Sequence, residues 1–234
     1  MNKILKNIIL SVFIIFILVL IFYLHQYFTY SLDNVSKLLN SSKLPNEFSI
    51  IKNVQSIDYT EHMEYYRKND IMYVSQITKP HTSGVNKIDI LSIYEDKTET
   101  IISNINKTIS KFNNSDDFIL KPLYKSNFFN SVQMHGSNDN IGIYKYCGKD
   151  IINGKRCIKV SMTSFYSDYV SVEYYYIDLS NNLIVKYLLY TGTSIDDMQK
   201  IKQINIDYNF NSVNDNYLQK FNLDSYTDYT YNEI

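Results

Sequence analysis

Glycine, proline and cysteine are scarce, and tryptophan is absent: 6 Gly, 3 Pro, 2 Cys and no Trp in 234 residues. So little Gly and Pro excludes a collagen-like or linker-rich chain and argues against extended disorder. Two cysteines exclude a small scaffold stapled by several disulfides. No Gly-rich phosphate loop and no Gly-x-Ser-x-Gly elbow occurs, which removes common signatures of nucleotide binding and serine hydrolysis. An excess of one charge is missing too. Lys plus Arg total 23 against 24 Asp plus Glu, a formal net charge of -1. The lysines are scattered in the linear order with no basic stripe, so nucleic acid is not an expected partner.

What is abundant is tyrosine and isoleucine, with 23 Tyr and 12 Phe. These residue types favour pleated, half-buried surfaces. One long apolar run stands apart. Lys3 and Lys6 precede Ile8 to Leu24, in which Ser11 is the one polar member, and Tyr23, Tyr27, Phe28 and Tyr30 follow. That is long enough to span a ~30 Å hydrocarbon core, with interfacial aromatics at its exit. The basic flank places residues 1–7 in the cytoplasm and everything after about residue 30 outside. A cleaved signal peptide is the rival reading. It needs small residues after the run, and His25 to Tyr30 are bulky. The expectation is a single-pass signal anchor (residues 1–30) at the cell membrane and one extracytoplasmic β domain (residues 31–234).

Leu32, Val35, Leu38 and Leu39 recur at helical spacing within Ser31–Ser42, which predicts a short amphipathic helix. From Ile51 the period becomes two. Ile57, Tyr59, Met63 and Tyr65 alternate with polar residues, Asn69-Asp70 is a turn, and Ile71–Thr78 returns. Lys87–Tyr94, Glu99–Asn104 and Lys107–Phe112 read as further strands, and Pro122–Met134 as a weak helix. Ile141–Gly148 and Lys155–Thr163 flank Asn153-Gly154, a strong hairpin signal. Val170–Asp178 and Leu183–Tyr190 form the next pair. Ile204, Ile206, Tyr208 and Phe210 alternate with Asn205, Asp207 and Asn209, one face core and the other water. The tail from Asp224 reads as loosely held. Successive hairpins imply a mainly β chain with a large antiparallel sheet.

Three stretches then carry a resemblance. They are Gly148 to Val160 around Asn153-Gly154; Tyr174-Tyr175-Tyr176-Ile177-Asp178 with Asn182 to Tyr187; and Ile206 to Phe210 with Phe221 and Leu223. Over roughly the last hundred residues the chain resembles the LolA-like superfamily of bacterial extracytoplasmic domains, which includes lipoprotein-carrier, LppX, RseB and GerS types. The resemblance implies a curved antiparallel half-barrel with a few covering helices over an apolar concave face. It also implies binding of lipid or of a partner protein there, without catalysis. A chain fixed in the membrane departs from the soluble carriers, so shuttling is not implied.

The candidate chemistry is sparse. His25, His62, His81 and His135 share no metal-site spacing, although His62 and Glu64 fall on one strand face. Asp116-Asp117 and Asp196-Asp197 read as solvated charge. No catalytic residue, metal ligand or cofactor is expected. With a two-residue turn at Asn153-Gly154, Asp150 faces Cys157 and Cys147 faces Val160. The two thiols then lie on opposite faces and ~10 Å apart along the strand, beyond the ~7 Å that a disulfide allows. A bulge at Gly148 would change that parity. The expectation is two free thiols, with Cys147 buried. The candidate ligand-binding residues are Val185, Tyr187, Leu189, Ile204, Ile206, Tyr208 and Phe210, on the sheet's apolar face. They line either an ordinary core or a lipid or hydrophobic-ligand groove of a few hundred Å3. The alternative is an envelope partner protein of sporulation or germination type with a closed core.

Overall fold

A computed structural model describes residues 3–42, 44–95, 98–113, 141–210 and 226–230. It divides into two compact units, Met1–Ser41 and Ser42–Ile234.

The first unit holds two helices. Helix α1 (Lys3–Thr29) contains the apolar run. At 1.5 Å per residue its 27 residues reach ~40 Å, enough to cross a bilayer. Its side chains from Ile8 to Leu24 are exposed within the chain, as a lipid-facing surface would be. Among the described residues, α1 is the helix long and apolar enough to cross a membrane. The helical path breaks at Tyr30–Ser31, where the Asn34 amide donates to the Phe28 carbonyl at 3.0 Å. Helix α2 (Leu32–Ser41) then begins, and Val35 and Leu39 of its apolar stripe are buried.

Among the described residues, the second unit is one open sheet of 12 strands. They are β1 (Glu47–Ser56), β2 (Tyr59–Lys68), β3 (Ile71–Pro80), β4 (Asn86–Glu95), β5 (Thr98–Ser103) and β6 (Thr108–Asn113). After these come β7 (Ile141–Ile152), β8 (Lys155–Phe165), β9 (Val170–Asp178), β10 (Leu183–Gly192), β11 (Gln199–Asn209) and β12 (Thr227–Thr230). The spatial order is β12-β6-β5-β4-β3-β2-β1-β11-β10-β9-β8-β7. Two meanders therefore meet at β1, which pairs with β2 on one side and β11 on the other. Every described pairing is antiparallel except β12 with β6.

Local chemistry sets the turns. Asn69, Asn153 and Asn182 sit at φ 52°, 50° and 58°, in the left-handed region that asparagine tolerates. Gly154 follows Asn153 at φ 77°, so both centres of the β7–β8 turn have positive φ, as the type I′ hairpin demands.

Three expectations need correction. Strand β7 does not end at Gly148 but runs to Ile152. It does so through a bulge between Tyr146, opposite Val160, and Gly148, opposite Lys159. Cys147 is the extra residue, so it is exposed and not buried, while Cys157 is fully buried. The tail is not wholly loose, because Thr227–Thr230 adds a parallel edge strand, anchored where the Thr227 N–H donates to the Lys107 carbonyl at 2.8 Å. The helix expected at Pro122–Met134, His135, Asp116-Asp117, and Phe221 with Leu223 lie outside the described residues.

The two-residue period gives the sheet two unlike faces. One is apolar and runs from Phe48, Ile50 and Tyr65 through Ile206 and Tyr187 to Ile158, Val160 and Met162, all buried. The other is mainly polar, with one satellite core. Tyr66, Tyr73, Leu91, Ile102 and Ile109 stand opposite one another across β2 to β6 and pack with Ile71, Ile93 and Tyr226.

Candidate functional site

Six of the seven residues expected to line the apolar face occupy two neighbouring strands, and Phe210 follows directly after β11. Tyr187 of β10 stands opposite Ile204 of β11, and Leu189 opposite Lys202. Ile204, Ile206 and Tyr208 stand opposite Val54, Lys52 and Ile50 of β1. Strict alternation in β11 puts all its named members on one side. Val185, Tyr187, Ile204, Ile206 and Tyr208 are buried, whereas Leu189 and Phe210 are half-buried. The Tyr208 hydroxyl donates to the Ile184 carbonyl at 3.2 Å, which satisfies a polar atom in an apolar setting.

The sequence reading missed the charge on this face. Lys52 opposes Met63, and Val54 opposes Glu61, so both charged side chains join the apolar side of β1 and β2. Lys52 Nζ lies 3.1 Å from Glu61 Oε1, with side-chain exposures of 19% and 11%. Gln76 Nε2 donates to the other carboxylate oxygen at 2.9 Å and to Thr78 Oγ1 at 3.1 Å. Three strands beyond β1, Tyr175 donates a short hydrogen bond to Glu173, whose carboxylate also faces the Tyr187 hydroxyl. Burial, then the Glu173 charge, raises the Tyr187 phenol pKa, and burial followed by Glu61 does the same for Tyr65. The signal was present in the alternation: Lys52, Glu61 and Glu173 fall in phase with the apolar positions.

Comparison with solved structures gives matches at low similarity. MucB, solved in complex with MucA(peri), matches at a TM-score of 0.43 and 10% identity, covering 80% of this chain and 59% of that one. The lipoprotein LppX of Mycobacterium tuberculosis matches at a TM-score of 0.38 and 8% identity, covering 79% and 99%. The chain thus spans 59% of the MucB chain. No family model matches it, and no curated protein does.

The polar face carries a separate feature. A cavity of ≈ 250 Å3 opens between β1, β2 and β3, lined by Asn53, Gln55, Thr60, His62, Ile77 and Lys79 of this face and also by Val54 and Glu61. None of the seven apolar candidates lines this space. His62 is held between two acceptors, Asn53 Oδ1 at 2.7 Å from Nδ1 and Glu64 Oε1 at 3.1 Å from Nε2. Glu64 also accepts from the Tyr66 hydroxyl at 3.2 Å. Nearby, burial and a hydrogen bond with Asp89 push the Tyr73 phenol up to about 12. Among the described residues, no group of three or more His, Cys, Asp or Glu converges as a metal site would require. His25 sits near the end of α1, and His81 Nε2 lies 3.2 Å from the Ser56 carbonyl.

Asp197 turns out to be structural. Its carboxylate accepts from Thr193 Oγ1 at 2.6 Å and from the Ser194 N–H at 2.7 Å. These bonds, the Thr193 hydroxyl foremost, lower its pKa to about 2. The Cys157 thiol pKa is raised by burial and then by the Asp178 charge, which makes it inert. Cys147 Sγ lies 3.3 Å from Ser161 Oγ on the polar face.

Proposed function

We propose that this chain is a non-enzymatic binding domain, tethered to the cell membrane by α1 and facing outward, whose apolar face takes a lipid or other hydrophobic ligand. One observation carries the reading: an otherwise apolar face holds the Lys52–Glu61–Gln76 group and the Glu173–Tyr175 pair. A closed core gains nothing from a desolvated ion pair, since apolar residues of equal volume serve as well or better. A site for a molecule with a polar end and an apolar body has a use for both kinds of lining. The order of the elements supports the tether, with an apolar helix first and the sheet beginning soon after it at Glu47.

A second reading, a partner-binding envelope protein with a closed core, draws on the complete burial of Ile158, Val160, Met162 and Tyr175. Native mass spectrometry of the full chain, released from a lipid-containing host membrane in mild detergent, separates the two. A stoichiometric lipid retained by wild type and lost from a Lys52→Met, Glu61→Leu variant is expected. A clean apo mass for wild type would abandon the ligand reading for the partner one.

A further inference from the structure

The polar face gathers lysines that the sequence disperses. Across β7 to β10, Lys145, Ser161, Tyr174 and Leu188 stand opposite one another in one row, and Lys159, Tyr176 and Lys186 form the next. Beyond β10, the first row continues through Gln203, Gln55 and Thr60 to Lys79. The second continues through Asn205, Asn53 and His62 to Ile77 and Lys87. The result is a strip two side chains wide holding five lysines and a histidine, with no carboxylate in either row. At ~4.8 Å between strands and ~7 Å between alternate residues, it measures ~38 Å by ~7 Å.

The strip's charge is available. Lys79, Lys87 and Lys145 are exposed. Lys159 Nζ sits 4.3 Å from the centre of the Tyr174 ring and 5.5 Å from that of Tyr176, and Lys186 Nζ 5.2 Å from Tyr176. These contacts position the ammonium groups without neutralising them. Among the described residues, no carboxylate pairs with any of the five lysines. The row beside the strip is acidic, with Asp150, Asp178, Asp207, Glu64 and Asp89 in line; Asp207 pairs with Lys155 and Glu64 with the strip's own His62, each at 3.1 Å, while Asp178 and Asp89 accept from Asn181 and Asn104. The ≈ 250 Å3 cavity lies within one end of the strip.

We propose that this strip binds a linear phosphate polymer that carries no bases. A line of positive charge matches a line of negative charge. A flat anionic bilayer would press the flanking Glu64, Asp89 and Asp207 against head groups as well. Single-stranded nucleic acid needs open aromatic faces for stacking, and here lysines already cover the rings of Tyr174 and Tyr176. Between the lysines, the amides of Asn53, Gln55, Gln203 and Asn205 offer donors to phosphate oxygens.

The test uses the full chain in nanodiscs of zwitterionic lipid, titrated with fluorescent long-chain polyphosphate. Five phosphate contacts predict that affinity falls about 100-fold between ~50 and ~200 mM salt. The variant Lys79→Gln, Lys87→Gln is expected to lose about tenfold at the lower salt, and Lys159→Gln, Lys186→Gln at least as much. Lys111→Gln, exposed on β6 away from the strip, changes nothing. The proposal is overturned by absence of binding, or by equal losses from Lys111→Gln. Tighter binding to a DNA strand of equal phosphate number would also overturn it. So would protection of the five lysines from acetylation by anionic nanodiscs without polymer.

Discussion

Single side chains decide what each face can do. Glu61 and Lys52 satisfy one another within a mostly apolar lining, so removing one partner leaves a poorly solvated charge behind. Lys52→Ala is expected to destabilise the fold by about 2–3 kcal/mol, below the fully buried range because both groups keep some solvent contact. Lys52→Met with Glu61→Leu should return stability to within about 1 kcal/mol of wild type. Urea unfolding of the two variants checks this, and equal losses in both would mean that the pair makes no net electrostatic contribution. The cysteines differ in the same concrete way. A maleimide should label Cys147 in the native protein at once and Cys157 only on unfolding, as read by intact mass. Equal labelling of both would contradict the bulge that turns Cys147 outward.

Among the elements, the hairpins were the most readable from sequence. Asn153-Gly154 and the alternation in β11 left little choice of register, because a slip of one residue moves every apolar side chain to water. The β7 bulge was half readable: Gly148 marked where one could form, but nothing in Tyr146-Cys147-Gly148 decides between a regular strand and an inserted residue. Gly148 adopts φ 111° with open space where a Cβ would stand, so backbone strain alone opposes a side chain there. Gly148→Ala should therefore destabilise by about 1–2 kcal/mol, and thermal unfolding measures it. An unchanged midpoint would show that the bulge can relax. The parallel strand β12 was missed for a different reason: four residues are too few to display a period, and a parallel partner gives no local turn signal. The candidate site was half readable. Its apolar members follow from periodicity, but Lys52, Glu61 and Glu173 matter through neighbours on other strands, which only the registers reveal. The lysine strip lay beyond linear reading for the same reason, since its five lysines come from five different strands.

For the whole molecule, the buried phenols fix a limit in alkali. Tyr73 titrates near about 12 and burial also raises Tyr65 and Tyr187, whereas unfolded tyrosine ionises near about 10. Between these values the unfolded chain has released protons that the folded chain still holds, so stability is complete below about pH 10 and falls as pH rises towards 12. Tyrosinate absorbance should then appear in two steps: exposed rings first, and the buried set together with loss of β-sheet circular dichroism. A single smooth titration with the sheet intact would contradict this. The sheet's seam sets a limit of another kind, in time. Strand β1 is among the first sheet residues to leave the ribosome, yet one of its edges is closed only by β11, some 150 residues later. Until Gln199 to Asn209 have been synthesised, Ile50, Lys52 and Val54 border an unpaired edge, and such edges invite pairing with other chains. A newborn chain halted before that point is sticky by construction, and its safe delivery depends on how quickly the stretch from β2 through β11 is made.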